Sequence, residues 1–445
     1  MLLIHKFSLF EKNFVLDVNS GALHEFSNLS FEILKHYFCS DNNNFINSLE
    51  KEYSKKEILE CIKSIKKIKD DGLLFSVDFS NSEIDNFRKN NKVLKALCMN
   101  VAHVCNLNCK YCFASGDDYI GEKKLMSFDV GRKCIDYLIK NSGNRINLEI
   151  DFFGGEPLLN FDVIKKIINY AREKEKKFNK KFRFTITTNA LLLDNEKIGY
   201  INKNMFNVVL SLDGRKEINN KMRVCNNDSE YYSKIISNIK KFIDKREDKS
   251  YYIRGTFTRF NLDFVEDILC YVDLGFKNLS LEPVVCYKNL DYTLRYDDLE
   301  KIFDEYEKLA KLVLSKKYNF NFFHFNLDFE NNTCISKKVS GCGCGNEYLA
   351  VSPNGNLYPC HQFVGQKSFL LGNIYNGIKK KFENYDIFDK QECVLCWAKF
   401  FCSGGCHANN FLFNKSFLKP YKLGCDIQKK RLECALAIKS FENNF

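Results

Sequence analysis

The stretch HVCNLNCKYCF, His103 to Phe113, decides the fold. It holds Cys105, Cys109 and Cys112 in the spacing Cys-x3-Cys-x2-Cys, with an aromatic residue directly after the last. It follows an apolar run, Leu97 to Val104, that reads as a strand. A structural zinc site takes four ligands in a closed tetrahedron. Three thiolates in one tight loop instead suit three corners of a 4Fe-4S cluster, which leaves one iron open to a further ligand.

Short apolar runs alternate with amphipathic ones onward from that loop. Strands are expected near Leu97–Val104, Leu148–Phe153, Phe184–Thr188, Asn207–Leu212, Tyr252–Phe257 and Leu279–Val285. Helices are expected near Ser127–Asn141, Phe161–Lys176, Asp194–Lys203, Tyr231–Asp244, Asp263–Leu274 and Tyr296–Leu314. This pattern predicts an α/β fold, a partial parallel (β/α)6 barrel of TIM type over residues 91–314, with reactive groups at the carboxyl ends of the strands. Residues 1–90 read as a separate small α+β module. In NFVLDVNSGALHEF (Asn13 to Phe26) alternating apolar positions flank NSG turn chemistry, and helical segments follow near Ser30–Phe38, Lys55–Lys69 and Ser82–Lys89. In residues 315–445 the periodicity fades while cysteines crowd between Cys334 and Cys434, so metal staples are expected to hold that segment.

The 445 residues carry 20 cysteines, grouped in tight runs rather than spread as a disulfide framework, so metal binding is the better reading. No signal segment opens the sequence and no apolar stretch spans a bilayer. A reduced, cytoplasmic protein without a membrane partner is expected. The formal charge of +11 counts every thiol as neutral, and Lys-rich runs such as KEKKFNKKF (Lys174 to Phe182) read as solvated surface. Nucleic acid is therefore not an expected partner.

With its aromatic neighbour Tyr111, the three-cysteine loop resembles the signature of the radical S-adenosylmethionine (SAM) enzymes. The resemblance implies that the open iron is chelated by SAM. One electron from the cluster then releases methionine and a 5'-deoxyadenosyl radical, the cofactor supplying the chemistry and the protein the placement. It also implies SAM contacts at the strand tips. These are Tyr111 beside the adenine; Gly154, Gly155, Glu156 and Pro157 of FFGGEPLL at the amino group; Thr187 and Asn189 of TITTNA; and Ser211 and Asp213 of LSLDG. Arg223 reads either as a partner of the SAM carboxylate or as a surface arginine. Glu282, at the sixth tip, faces either substrate or packing.

The C-terminal cysteines form a second pattern: Cys342, then Cys360 in GNLYPCHQF, then Cys393, Cys396, Cys402 and Cys406 in CVLCWAKFFCSGGC, and finally Cys425. It resembles the SPASM domain, which carries two auxiliary 4Fe-4S clusters and would bring the total to three. That likeness implies an outer cluster on Cys393, Cys396, Cys402 and Cys425. It implies an inner one on Cys342, Cys360 and Cys406, with Cys334, Cys344 or an open position as the fourth ligand. His361 and His407, each following a ligand, read as structural histidines or donors to sulfur. Cys39, Cys61, Cys98, Cys134, Cys225, Cys270, Cys286 and Cys434 read as small buried hydrophobes.

Over essentially the whole chain the sequence is similar to the SCIFF (six cysteines in forty-five residues) maturases. The likeness is carried by IHKFSLFEKNFVLDVNSGALHEF, GCGCGNEYLAVSPNGNLYPCHQFVG, CWAKFFCSGGCHANNF and KPYKLGCDIQKKRLECA. It implies a winged-helix-like N-terminal module that takes the leader of a cysteine-rich precursor peptide as an added strand. It implies intramolecular thioether formation in that peptide, and a reductant such as flavodoxin or ferredoxin. Another SPASM-type oxidation, formylglycine formation or carbon–carbon crosslinking, and an iron–sulfur electron-transfer protein are the alternatives. No catalytic side chain is assigned.

Overall fold

The computed structural model describes residues 4–36, 47–89, 93–113, 123–225, 230–327, 335–383 and 385–443. Cys39 and Cys334 lie outside them.

The N-terminal strands β1 (Ile4–Leu9), β2 (Lys12–Asp17) and β3 (Leu23–Phe26) form an antiparallel sheet in that order. Helices α1 (Asn28–His36), α2 (Lys55–Asp70) and α3 (Asn81–Lys89) follow. Helix α2 starts at a capping box, in which Ser54 accepts from the Glu57 amide while Glu57 reaches back to the Ser54 amide. Only its Ile58 and Ile65 are fully buried, and they pack with Val15, Phe26 and Ile33 in a core of their own. The lysines of α2 are left outward.

The barrel is built from β4 (Ala96–Ala102), β5 (Asn147–Gly154), β6 (Lys181–Thr188), β7 (Asn207–Ser211), β8 (Tyr251–Phe257) and β9 (Asn278–Pro283), all parallel and adjacent in chain order. Burial alternates along β5, β6, β7 and β8, whereas β4 is buried at every position. Leu148, Ile150 and Phe152 of β5 face the covering helices with no exposure, while Asp151 and Phe153 are half-buried on the inner face. Helix Phe128–Asn141 shows why the wall holds. Its N-cap Ser127 accepts from the Val130 amide, and Val130, Cys134, Ile135 and Leu138 fall on one face by helical spacing. The strand spans expected from periodicity agree with those observed to within about three residues, as boundary uncertainty allows.

The sheet does not close. Beyond β9 it takes a short β10 (Asn321–Phe322). Beyond β4 it takes the parallel β11 (Tyr348–Val351) and then antiparallel β12 (Asn356–Tyr358), β13 (Gly372–Asn373) and β14 (Gly377–Ile378). The cysteine-rich C-terminal segment thus continues the barrel sheet edge to edge, and the barrel is a partial one.

The expectation of fading periodicity after Ser315 is corrected at the end of the chain. Lys422–Asn443 is a helix of 22 residues. Its apolar residues do not form one stripe: Leu423 and Ile427 are buried near its start and Leu432, Cys434, Ala435, Leu436, Ala437 and Ile438 further on. It packs against helix Leu299–Leu314 of the barrel and against β1 and β3. A helix covered on several sides carries little amphipathic signal.

The N-terminal module is fastened to the cysteine-rich segment at separate points. The His5 ring stacks on Trp397 at 3.8 Å and bonds Glu433 at 2.8 Å. The buried Lys399 bonds Asp78 at 3.0 Å, Phe79 meets Phe400 edge-on, and Arg88 forks onto Asp386 and Asp389.

Candidate functional site

Backbone contact positions the three-cysteine loop. The Gly155 and Glu156 amides donate to the Ala102 and Val104 carbonyls at 2.8 and 2.9 Å, so the tip of β5 is laced to the start of the loop. Gly154 has φ +132°, and a Cβ there would lie 2.2 Å from the Ala102 oxygen; one on Gly155 would lie 2.3 Å from the Val104 oxygen. Two glycines are needed because the cysteine loop itself lies against them. Further along, Asn108–Cys109 pairs antiparallel with Arg223–Val224, and the Lys110 amide donates to the Met222 carbonyl.

Glu156 is fully buried and its carboxyl is used inside the protein. It accepts from the Thr188 hydroxyl at 2.7 Å, the Asn189 amide at 2.9 Å and the Leu158 amide at 3.0 Å. Burial pushes its pKa up to about 7. The Glu156 side chain is therefore committed within the protein, and its backbone amide and carbonyl are bonded to Val104 and Leu159. Sequence reasoning missed Thr188, which makes this latch while its neighbour Thr187 turns to the inner face; alternation along β6 was the available signal. Asn189 points its amide nitrogen at Cys105 Sγ (3.8 Å) and at Asn106 (2.7 Å).

A second buried group joins Tyr111, Asp213 and Arg223. Asp213 has no exposure. It accepts from the Tyr111 hydroxyl, from Arg223 Nη2 at 2.9 Å and from the Thr256 amide at 2.9 Å. Burial opposes a charged Arg223, but Asp213, Tyr111 and Cys109 together outweigh it and hold the guanidinium's pKa well above the usual value. Arg223 is not a surface residue, and its buried Nε bonds no protein atom. Ser211 is half-buried at the tip of β7.

Burial pushes the Cys105 thiol up to about 11 and Cys109 to about 12, and the three thiols of the loop lie within electrostatic reach of one another. Among the described residues no three His, Cys, Asp or Glu side chains converge tightly enough for a single ion. Thiolates of a four-iron cluster bind separate irons and stand further apart, so the loop fits such a cluster. The unpartnered Arg223 Nε beside it fits an anionic ligand group.

The C-terminal cysteines fall into two groups. Cys393, Cys396, Cys402 and Cys425 interact with one another; so do Cys342, Cys344, Cys360 and Cys406. Glycines at Gly341 (φ +67°), Gly343 (φ +72°) and Gly345 (φ +79°) turn the chain sharply around Cys342 and Cys344. Cys344 donates to Cys360, which lowers the Cys360 pKa and raises its own. Two fully buried lysines stand here, and the sequence reading passed over both. Lys399 is paired with Asp78, whereas among the described residues the Lys390 ammonium bonds the Gly404 carbonyl, at 2.7 Å, and no carboxylate. An unpaired buried ammonium is costly, so Lys390 fits a segment whose thiols are ionised by bound metal.

Aromatic contacts join the two cysteine regions. His361 stands 5.6 Å from Phe113 and 5.2 Å from Phe153, and Phe113 stacks on Phe153 at 6.3 Å. His361 also bonds Tyr348 at 3.2 Å, and burial lowers its pKa to about 4. His407 bonds the Tyr385 carbonyl at 3.0 Å. Glu282 is held by Arg254 (3.7 Å), Arg431 (3.3 Å) and His324 (3.3 Å), so it ties the C-terminal helix to the barrel wall. Cys98, Cys134 and Cys434 are buried as expected; Cys61, Cys225, Cys270 and Cys286 are half-buried.

Residues 99–268 match the Radical SAM superfamily. An uncharacterized protein of Methanocaldococcus jannaschii, MJ0907, is 31% identical over 328 residues, which are 73% of this chain and 99% of the relative. The chain belongs to the radical SAM superfamily. A cysteine-type anaerobic sulfatase-maturating enzyme of Clostridium perfringens is 27% identical over 346 residues, 68% of this chain and 85% of that enzyme. The solved structure of native anSMEcpe with bound AdoMet and Kp18Cys peptide shares the fold, with a TM-score of 0.64 at 23% identity over 79% of this chain and 99% of the other. No helix among the described residues is long and apolar enough to cross a membrane.

Proposed function

We propose that this radical SAM protein is a cytoplasmic peptide maturase that installs intramolecular cysteine thioethers in a ribosomally made cysteine-rich precursor peptide. The observation that carries the reading is the aromatic bridge of Phe113, Phe153 and His361. It sets the three-cysteine loop against the group containing Cys360, where one peptide can meet both. A peptide-bound structural neighbour and a maturating relative support a peptide substrate.

Cys105, Cys109 and Cys112 would hold a 4Fe-4S cluster, which with SAM would supply the radical chemistry for hydrogen abstraction from the peptide. The chain's own part is placement. Glu156, Thr188 and Asn189 hold the strand tips, and Asp213 aims Tyr111 and Arg223, whose free Nε suits the SAM carboxylate. Gly154 and Gly155 offer backbone, while Thr187 and Ser211 offer side chains on the inner face. Two further clusters are assigned to the C-terminal groups, Cys344 being the fourth ligand of the inner one. Electrons come from a flavodoxin or ferredoxin.

Leader binding is assigned to the N-terminal module. Among the described residues β3 has no strand on its outer side, and Lys55, Lys56, Lys63, Lys66 and Lys67 of the adjacent α2 are exposed. An open edge beside a basic helix suits an extended acidic leader.

The test uses the anaerobically reconstituted chain, SAM, a reductant and a synthetic cysteine-rich peptide carrying an acidic leader, with mass spectrometry as readout. Loss of two hydrogens together with a free thiol is the expected result. Oxidation with every thiol retained would establish a different SPASM-type reaction, and absence of SAM cleavage would leave an electron-transfer protein.

A further inference from the structure

Lys390 has no exposure, and among the described residues no carboxylate forms an ion pair with it. Its ammonium sits against Gly404, between Cys402 and Cys406, close enough that a Cβ on that glycine would lie 2.8 Å from Nζ. The groups whose charge would act on it most are Cys393 and Cys402 of one cysteine group and Cys406 of the other; Asp386, already bound to Arg88, acts less. Lys399 makes the contrast. It is equally buried and lies in the same segment, yet it has Asp78 as its counter-ion. A buried ammonium without a carboxylate persists only if other anions surround it.

We propose that Lys390 is the shared counter-cation of the two C-terminal cysteine groups and sets the reduction potentials of the clusters they bind. The inference rests on the cluster assignment made above. Reduction adds negative charge to a cluster, so a fixed cation at its thiolates stabilises the reduced form and raises the potential. Because the one ammonium adjoins ligands of both groups, its removal lowers both potentials together. The three-cysteine loop does not have Lys390 among its neighbouring charges and serves as an internal reference.

The experiment is a reductive titration of the reconstituted full chain, followed by low-temperature electron paramagnetic resonance, with iron counted per chain. Lys390→Met and Lys390→Gln remove the charge, the glutamine keeping a donor for the Gly404 carbonyl; Lys390→Arg keeps the charge. Expected is that both neutral variants are at least tenfold less reduced at the wild-type auxiliary midpoints, ~59 mV for one electron. Arg should stay near wild type, and the N-proximal signal should not move. Neutral variants that lose auxiliary iron while Arg retains it also support the charge role. Unchanged midpoints at full iron content overturn the proposal, as does equal iron loss in all three variants, which would make the role one of packing. Wild type with iron for one cluster rather than about twelve atoms for three overturns the cluster assignment as well, whereas auxiliary signals indifferent to Lys390 overturn this inference alone.

Discussion

The two cysteine regions are built on opposite plans. The N-proximal loop hangs from finished strands. Carbonyls of Ala102 and Val104, glycines at the tip of β5 and the short pairing of Cys109 with Arg223 fix it before any ligand arrives. Apart from Cys425, on the long final helix, the cysteines of the two C-terminal groups sit on turns and at short helices such as Gln391–Val394 and Lys399–Cys402. Side chains with few regular backbone bonds hold that segment, and it buries a lysine that lacks an anion. In the first region the fold makes the site; in the second, on the cluster assignment proposed above, metal would contribute to the fold.

The sharpest way to break this contrast is to delete one cysteine from each region. Cys402→Ala is expected to open residues 341–425, raising the rate of proteolytic cutting there several-fold and lowering the melting temperature of the reconstituted chain. Cys105→Ala should abolish iron at its own site and leave the melting temperature within a few degrees. Equal melting losses for the two variants would refute the difference in plan.

A smaller effect tests the first region alone. Gly155→Ala places a methyl 2.3 Å from the Val104 carbonyl, so the cysteine loop has to move. The expected cost is about 1–3 kcal/mol, typical of overpacking, with weakened iron binding at Cys105. Gly199→Ala is the control. Nothing lies within 4 Å of that added carbon and the residue is inside helix Asn195–Asn204, so stability should rise by up to about 1 kcal/mol. Thermal melts of both variants with iron counts check the pair.

The same contrast explains what could be read in advance. Barrel strands and helices announce themselves because each buries one face against a layer, as Ile164, Ile167, Ile168 and Ala171 do in helix Phe161–Phe178. Both cysteine patterns were legible because ligand spacing is local in sequence. The partners that complete the sites were not. Thr188 lies 32 residues from Glu156, and Arg431 lies 149 residues from Glu282. No periodicity marks Lys390, an ordinary lysine in sequence whose burial depends on distant turns. The final helix was invisible because it is covered on several sides.

The smallest expected effect concerns two carboxyls, Glu156 beside the N-proximal loop and Glu282 where the barrel meets the C-terminal helix. Burial raises Glu156 from 4.5 to about 7, because only hydrogen-bond donors and no cation compensate it. Between those pH values the folded chain keeps a proton that the unfolded chain has lost. Its contribution to stability therefore falls as pH rises, by up to about 1.4 kcal/mol per unit. Glu282 is only part-buried, its side chain 31% exposed, and His324, Arg431 and Arg254 together outweigh desolvation and lower its pKa. Its contribution is present above 4.5 and is lost as pH falls through its depressed value. Melting curves between pH 4 and 8 should accordingly lose a descending component in Glu156→Gln, whereas Glu282→Gln should lose one confined to the acid end. An identical pH response in the two variants would mean that the arginines around Glu282 do not keep it ionised, and that the C-terminal helix is held to the barrel by packing alone.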